Sequence, residues 1–270
     1  MRIRLGHSND PDDAFMVWAL AERRIDTRGF EFELVPADIQ TLNRWALDGR
    51  LEVTALSLAA YPLVQDRYAL LPHGASLGSG YGPIVVTREP LPAARLRETE
   101  IVIPGKLTTA FLVLRLVLGE FRCRELPFEQ ILDEVREGRA EAGLLIHEGQ
   151  LTYATAGLVK SLDLGQWWLQ QTGLPLPLGV NTVRRDVERR DELSQVLRES
   201  IDAALADREQ ALAYALAFAR DLDVADADRF VELYVNEYTL DFGDDGRRAI
   251  EELLRRAEAV GVYAEATLTP

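Results

Sequence analysis

Over the first two thirds of the chain, short apolar and β-branched runs alternate with longer stretches of helical periodicity, and no other feature restricts the fold as much. Parallel strands need long crossovers, usually helices, so this alternation predicts an α/β sheet assembled from crossover units. Residues 3–5, 31–35, 52–56, 68–71 and 84–86 read as strands, with helices over 13–22 and 38–47, the second stopped near Gly49. Gly74, Gly78, Gly80 and Gly82 punctuate the stretch before the last of these strands.

The pattern then starts again. A strand-like run at 101–103 leads through a loop into Thr109-Ala110-Phe111-Leu112-Val113-Leu114-Arg115-Leu116. That segment lies over Asp13-Ala14-Phe15-Met16-Val17-Trp18-Ala19-Leu20 with Ala, Phe, Val and Leu in common. Further on, a helix over 128–136 ends at Glu137-Gly138-Arg139-Ala140-Glu141 before a strand, as 38–47 ends at Asp48-Gly49-Arg50-Leu51-Glu52 before its own. Two matched segments in one order predict two lobes of related architecture. From residue 191 the periodicity is helical, over 193–206, 208–220, 227–237 and 245–260. The run 178–183 reads as a strand returning to the first lobe, on which these helices are expected to pack. The expected division is residues 1–86 with 180–270 as one lobe and 87–179 as the other, with a ligand cleft between them.

Thirty Lys and Arg against 44 Asp and Glu leave a formal charge of -14, which repels phosphate backbones and anionic lipid and argues against nucleic-acid or membrane partners. Arg184, Arg185, Arg189 and Arg190 do not make a basic patch, because Asp186, Glu188, Asp191 and Glu192 interleave with them. A single cysteine, Cys123, excludes an internal disulfide and a thiolate metal cluster. The opening residues run into polar His7-Ser8-Asn9-Asp10 without an apolar leader core, and no stretch of about 18 apolar residues follows. A cytoplasmic protein acting on a small molecule is therefore expected.

Ligands of open α/β sheets gather at the carboxyl ends of strands, which directs attention to residues 6–13, Ser57, 104–109 and His147. His147 follows the run Ala142-Gly143-Leu144-Leu145-Ile146. Its imidazole suits a general base at neutral pH, and a structural histidine with both nitrogens bonded is the alternative. Gly105-Lys106-Leu107-Thr108-Thr109 opens an apolar helix and reads as a carboxylate or phosphate cradle, as a threonine N-cap, or as both; Glu100 excludes a P-loop. Ser57 either donates to a ligand or ends its strand. Asp10, Asp12 and Asp13 are read as helix caps rather than metal ligands, so no metal is expected. Gly78-Ser79-Gly80-Tyr81-Gly82 lies between strands and does not make a dinucleotide site. Trp167 and Trp168 offer either core packing or a face for a planar ligand.

Several of these segments carry a family resemblance. They are Asp66-Arg67-Tyr68-Ala69-Leu70-Leu71, Gly74-Ala75-Ser76-Leu77-Gly78-Ser79-Gly80-Tyr81-Gly82-Pro83 and the turn from Pro104-Gly105 to Thr109-Ala110. To these add Ile146-His147-Glu148-Gly149-Gln150-Leu151-Thr152-Tyr153 and Asp163-Leu164-Gly165-Gln166-Trp167-Trp168 through Thr172-Gly173-Leu174-Pro175-Leu176-Pro177-Leu178-Gly179. Together they resemble the 1,4-dihydroxy-6-naphthoate synthase family of the futalosine route to menaquinone, over most of residues 1–182. The resemblance implies a two-lobed α/β fold of the periplasmic-binding-protein type II kind with a central cleft. It also implies conversion of cyclic dehypoxanthine futalosine to 1,4-dihydroxy-6-naphthoate without a cofactor, and a homodimer is in keeping with such a fold. In this reading His147 is the proton acceptor, and Ala55, Leu56 and Ser57 from one lobe and Thr109 and Ala110 from the other contact the ligand. Where the family carries a lysine this chain has Ala55, and Lys106 beside Thr108 is expected to take over that contact. Proton removal followed by retro-aldol-type cleavage creates enolate-like charge, which one base, a few hydrogen-bond donors and a dry site suffice to handle. Chorismate dehydratase, a carbon–oxygen lyase of the same fold and pathway, and a non-catalytic solute-binding protein are the competing readings.

Overall fold

A computed structural model describes residues 1–219 and 222–261. The chain opens with β1 (Arg2–Ser8), α1 (Pro11–Ala21), β2 (Glu31–Ala37), α2 (Ile39–Leu47), β3 (Val53–Ser57), β4 (Tyr68–Leu70) and β5 (Ser76–Gly78). Next come β6 (Ile84–Thr87), α3 (Ala93–Glu98), β7 (Ile101–Ile103), α4 (Thr109–Leu118), β8 (Cys123–Glu125), α5 (Phe128–Arg136) and β9 (Ala142–Leu145). The single turn α6 (Gly149–Thr152), β10 (Val159–Asp163), α7 (Leu164–Thr172) and β11 (Leu176–Arg184) lead to the C-terminal helices. Those are α8 (Arg190–Ala206), α9 (Arg208–Ala215), α10 (Val224–Tyr234), α11 (Glu237–Leu240) and α12 (Gly243–Ala259). Arg220, the expected end of the helix over 208–220, lies outside the described residues.

The chain forms two compact units. The first is Met1–Leu77 with Gly179–Asp244, the second Gly78–Leu178 with the described residues from Asp245 onward. In the sequence reading the chain passes between lobes after residues 86 and 179; in the structure it passes after Leu77, Leu178 and Asp244.

In the first unit the sheet order is β2-β1-β3-β11-β4, with β5 also on β11. β1 runs parallel to β2 and β3, and β11 antiparallel to β3 and β4. The register sets Leu5 beside Val53 and Gly6 beside Thr54, and on the far side Gly179 beside Ser57. Helix α2 starts where Asp38 accepts a hydrogen bond from Thr41 N at 3.0 Å, and the chain leaves it through Gly49 at φ +67°, a conformation glycine adopts without cost. Helix α1 is apolar almost all round and is buried from Pro11 to Leu20, as a helix without a polar face must be. Its cover comes from the C-terminal helices: Phe15, Met16 and Trp18 pack with Ile201, Ala204, Ala211, Ala215 and Val231. Ser200 Oγ adds a hydrogen bond to Met16 O at 2.7 Å.

The second unit repeats the plan. Its order is β8-β7-β9-β6-β10, with β7 parallel to β8 and β9, and β6 antiparallel to β9 and β10. In spatial order and strand direction these five match the five of the first unit, β5 having no counterpart. The two segments matched in the sequence occupy corresponding places, α1 with α4, and the Gly49 and Gly138 exits, both at positive φ, before β3 and β9. The core is Ile84, Val86, Val102, Ile131, Val135 and Leu145. Four C-terminal helices were expected on the first lobe, but α12 from Asp245 onward belongs to the second unit, where the Arg256 guanidinium stacks 5.2 Å from the Trp168 ring centre.

Candidate active site

Because β1 and β3 are parallel neighbours, their carboxyl ends share one edge of the first sheet, and residues 7–13 and Ser57 come to that edge. Ser57 closes a fully buried strand and is held at two atoms by Asn43 of α2. Its backbone N donates to Asn43 Oδ1 at 2.9 Å, and Asn43 Nδ2 donates to Ser57 Oγ at 3.0 Å. Asn43 is completely buried. The other two residues expected there are core residues by side chain. Ala55 packs with Ala37, Leu42 and Leu51, and Leu56 is fully buried.

The aspartates at the start of α1 do something other than cap it. Asp10 sits at the N-cap position without a side-chain cap bond and instead accepts from Ser8 Oγ, while Asp13 accepts from Ser8 N at 2.6 Å. They lock the β1–α1 turn. His7, also at this edge, is buried with Nδ1 2.9 Å from Ser8 O, and burial lowers its pKa from the usual 6.5. Among the described residues no group of three or more His, Cys, Asp or Glu side chains could hold a metal ion.

In the second unit β7 and β9 are parallel neighbours, so the turn into α4 and His147 come to one edge of that sheet. Thr108 is the N-cap: its hydroxyl accepts from Phe111 N at 3.2 Å and donates to Gly105 O at 2.8 Å. Thr109 opens the helix with its hydroxyl donated to Leu178 O at 2.6 Å, Ala110 is buried behind it, and Lys106 is exposed. The first turn of α4 contains no acidic residue. The positive end of that helix is therefore not countered by an acidic side chain of its own first turn.

His147 is half-buried, two residues beyond β9, with φ +56°. For a residue other than glycine the left-handed region costs roughly 1 kcal/mol, and such strain gathers at functional sites. Its imidazole meets the ring of Phe128 edge-on at 4.6 Å between centres and 63° between planes, and its carbonyl accepts from Gln150 N at 3.1 Å. Phe128 and Asn43 were not singled out in the sequence. An aromatic residue at the first position of a helix and an asparagine inside one are both too common to signal a site. Of the tryptophan pair, Trp168 is core, fully buried with Nε1 donating to Pro175 O at 3.0 Å. No helix among the described residues is long and apolar enough to cross a membrane.

Comparison with known proteins gives a consistent result. Residues 3–259 match the family described as menaquinone biosynthesis. The chain is 44% identical over 264 residues to the 1,4-dihydroxy-6-naphthoate synthase of Thermus thermophilus, an alignment spanning 97% of this chain and 96% of that protein. A crystal structure of a protein from Archaeoglobus fulgidus superposes with a TM-score of 0.92 at 43% identity, covering 97% of this chain and 98% of the other. The alkanesulfonate-binding protein of Xanthomonas axonopodis, only 12% identical, superposes with a TM-score of 0.72 over 100% of this chain and 94% of its own. At that identity the likeness shows the fold alone, which is of the periplasmic-binding-protein kind.

Proposed function

We infer that this chain, which belongs to the menaquinone-biosynthesis family, is a 1,4-dihydroxy-6-naphthoate synthase acting as a carbon–carbon lyase on cyclic dehypoxanthine futalosine. The observation that carries the reading is the 44% identity extending over nearly the whole of both chains.

In this proposal neutral His147 takes the proton that starts the reaction. Its support is position and strain: a histidine at the carboxyl end of β9, held at φ +56° and braced by Phe128. Collapse of the resulting anion breaks the carbon–carbon bond and leaves an enolate-like oxygen, while aromatisation of the product draws the step forward. Ser57 and the start of α4 at Thr109 and Ala110 bind substrate oxygens, the helix end through its dipole. Thr108 acts through the turn, since its hydroxyl is spent on capping. Exposed Lys106 supplies a cation near that helix start, and Ala55 and Leu56 shape the backbone that presents Ser57. The chemistry calls for no cofactor, and the proposal places a homodimer in the cytoplasm.

The test is to incubate purified wild type and His147→Ala with cyclic dehypoxanthine futalosine and follow dihydroxynaphthoate by absorbance and mass. Removal of a general base costs about 10²–10⁴-fold in kcat. Product from wild type and a loss of that order in the variant is the expected result. Equal rates would remove His147 from its role, and no product from wild type, with turnover of chorismate instead, would overturn the reaction.

A further inference from the structure

We propose that Asn43 is a positioning residue that fixes the Ser57 hydroxyl as a hydrogen-bond donor, so that the substrate atom meeting it is an acceptor, a carboxylate or carbonyl oxygen. The inference rests on the reading of Ser57 as a substrate contact.

A backbone N–H only donates, so the oxygen of the Asn43 amide must be the atom facing Ser57 N, at 2.9 Å. That leaves the amide nitrogen 3.0 Å from Ser57 Oγ, and an NH₂ group only donates as well. The hydroxyl oxygen is thereby committed as acceptor on that side, and its own proton must point elsewhere. Among the described residues none accepts a hydrogen bond from Ser57 Oγ, although Ser57 is only 4% exposed. A buried donor left unspent is costly, and a ligand oxygen placed there removes the cost.

Asn43 is held for this task. It is 0% exposed, and its helix is pinned by the Asp38 cap and by burial of Leu42 and Ala46 on either side. Without the amide the hydroxyl would rotate among its three staggered positions and could present a lone pair instead of a proton. The arrangement also selects chemistry: a naphthoate carboxylate, ionised at neutral pH, accepts and never donates.

The variants are Ser57→Ala, Asn43→Asp, Asn43→Ala and each Asn43 change combined with Ser57→Ala. KM and kcat are measured with cyclic dehypoxanthine futalosine, up to a pH at which an introduced carboxyl is ionised, with circular dichroism to confirm folding. Once ionised, the carboxylate introduced by Asn43→Asp keeps the bond from Ser57 N but captures the hydroxyl proton. Losing a hydrogen bond to a charged group costs roughly tenfold or more in binding. Ser57→Ala should therefore raise KM by roughly that factor and Asn43→Asp about as much, with the smaller effect on kcat. In the Ser57→Ala background either Asn43 change should add less than twofold. Asn43→Ala carries the same comparison if Asn43→Asp does not fold. An unchanged KM in the folded Asn43 variants, or a rise equally large without the Ser57 hydroxyl, overturns the role of Asn43 while leaving the enzyme's function standing. An unchanged KM in Ser57→Ala overturns the contact itself, and absence of turnover in wild type overturns the functional reading.

Discussion

Replacing Trp168 separates two uses that a tryptophan in this position could have, and the structure gives the expected cost of each replacement. The side chain is completely buried, its Nε1 donates to Pro175 O at 3.0 Å, and Arg256 lies over the ring at 5.2 Å. Roughly 200 Å² of aromatic surface at about 25 cal/mol per Å² corresponds to about 5 kcal/mol, within the range of about 3–5 kcal/mol seen when large aromatic residues are cut to alanine in cores. Trp168→Phe keeps most of that surface and the cation over the ring. It abandons the Pro175 carbonyl, which costs about 1–2 kcal/mol. Urea unfolding followed by far-ultraviolet circular dichroism, which does not depend on the lost fluorophore, gives both differences from one series of curves. Stability should fall in the order wild type, Trp168→Phe, Trp168→Ala, with KM unchanged in the phenylalanine variant. A loss below about 1.5 kcal/mol in Trp168→Ala, coupled to a large rise in KM, would refute the core assignment and make the ring a ligand platform.

Two further outcomes test other parts of the molecule. Adding a methyl at Gly165 would drive a Cβ onto the carbonyl of Tyr81 and close to Gly82 N, backbone atoms that cannot swing aside, so Gly165→Ala should lose several kcal/mol or fail to fold, as a thermal melt would show. His73 is buried with Nε2 2.9 Å from Ser194 Oγ, in a surface cavity of about 400 Å³ that Arg198, Asp202 and Asp241 also line. Burial, then the Arg198 charge, push its pKa from 6.5 down to about 4. The unfolded chain takes up this proton below pH 6.5 and the folded one only near 4. Stability is therefore full above about 6.5 and falls by roughly 3 kcal/mol as the pH drops to about 4. His73→Gln should flatten that part of the stability–pH curve, and a slope unchanged from wild type would show that the loss arises elsewhere.

How much of this was legible in the sequence depends on whether a feature is periodic. Strands and helices that bury a whole face announce themselves, so β1, α2, β7, α4 and α5 stand close to where the pattern puts them, and the Gly49 and Gly138 exits mark the ends of matching helices. β8 and β10 lie at the two ends of their sheet with no buried residue, unlike the equally short but fully buried β7, and β5 pairs off the main path of its sheet; they form because a neighbouring edge is waiting for them. That α12 joins the second unit depends on a partner, Trp168, far off in the chain. Site geometry is the least legible layer. The Asn43–Ser57 pair joins two residues 14 positions apart through two hydrogen bonds that no periodicity marks, and a positive φ at His147 is not written in residue type at all.

The repeated topology does, however, turn an alignment into a physical contrast. The β1–α1 and β7–α4 turns occupy equivalent places in the two sheets, yet their helices meet opposite surroundings. The first turn of α1 carries Asp12 and Asp13, and Asp10 and Asp13 are bound to Ser8, so the positive end of that helix already faces carboxylates of its own. The first turn of α4 has no acid, and its Thr108 cap is neutral, satisfying Phe111 N without cancelling the dipole. A fold used twice thus yields one helix start that is neutralised internally and one that favours an anion from outside. That asymmetry supports assigning substrate oxygens to Thr109 and Ala110 rather than to the equivalent residues of α1, and it follows from the residues at 10–13 and 108–111 alone.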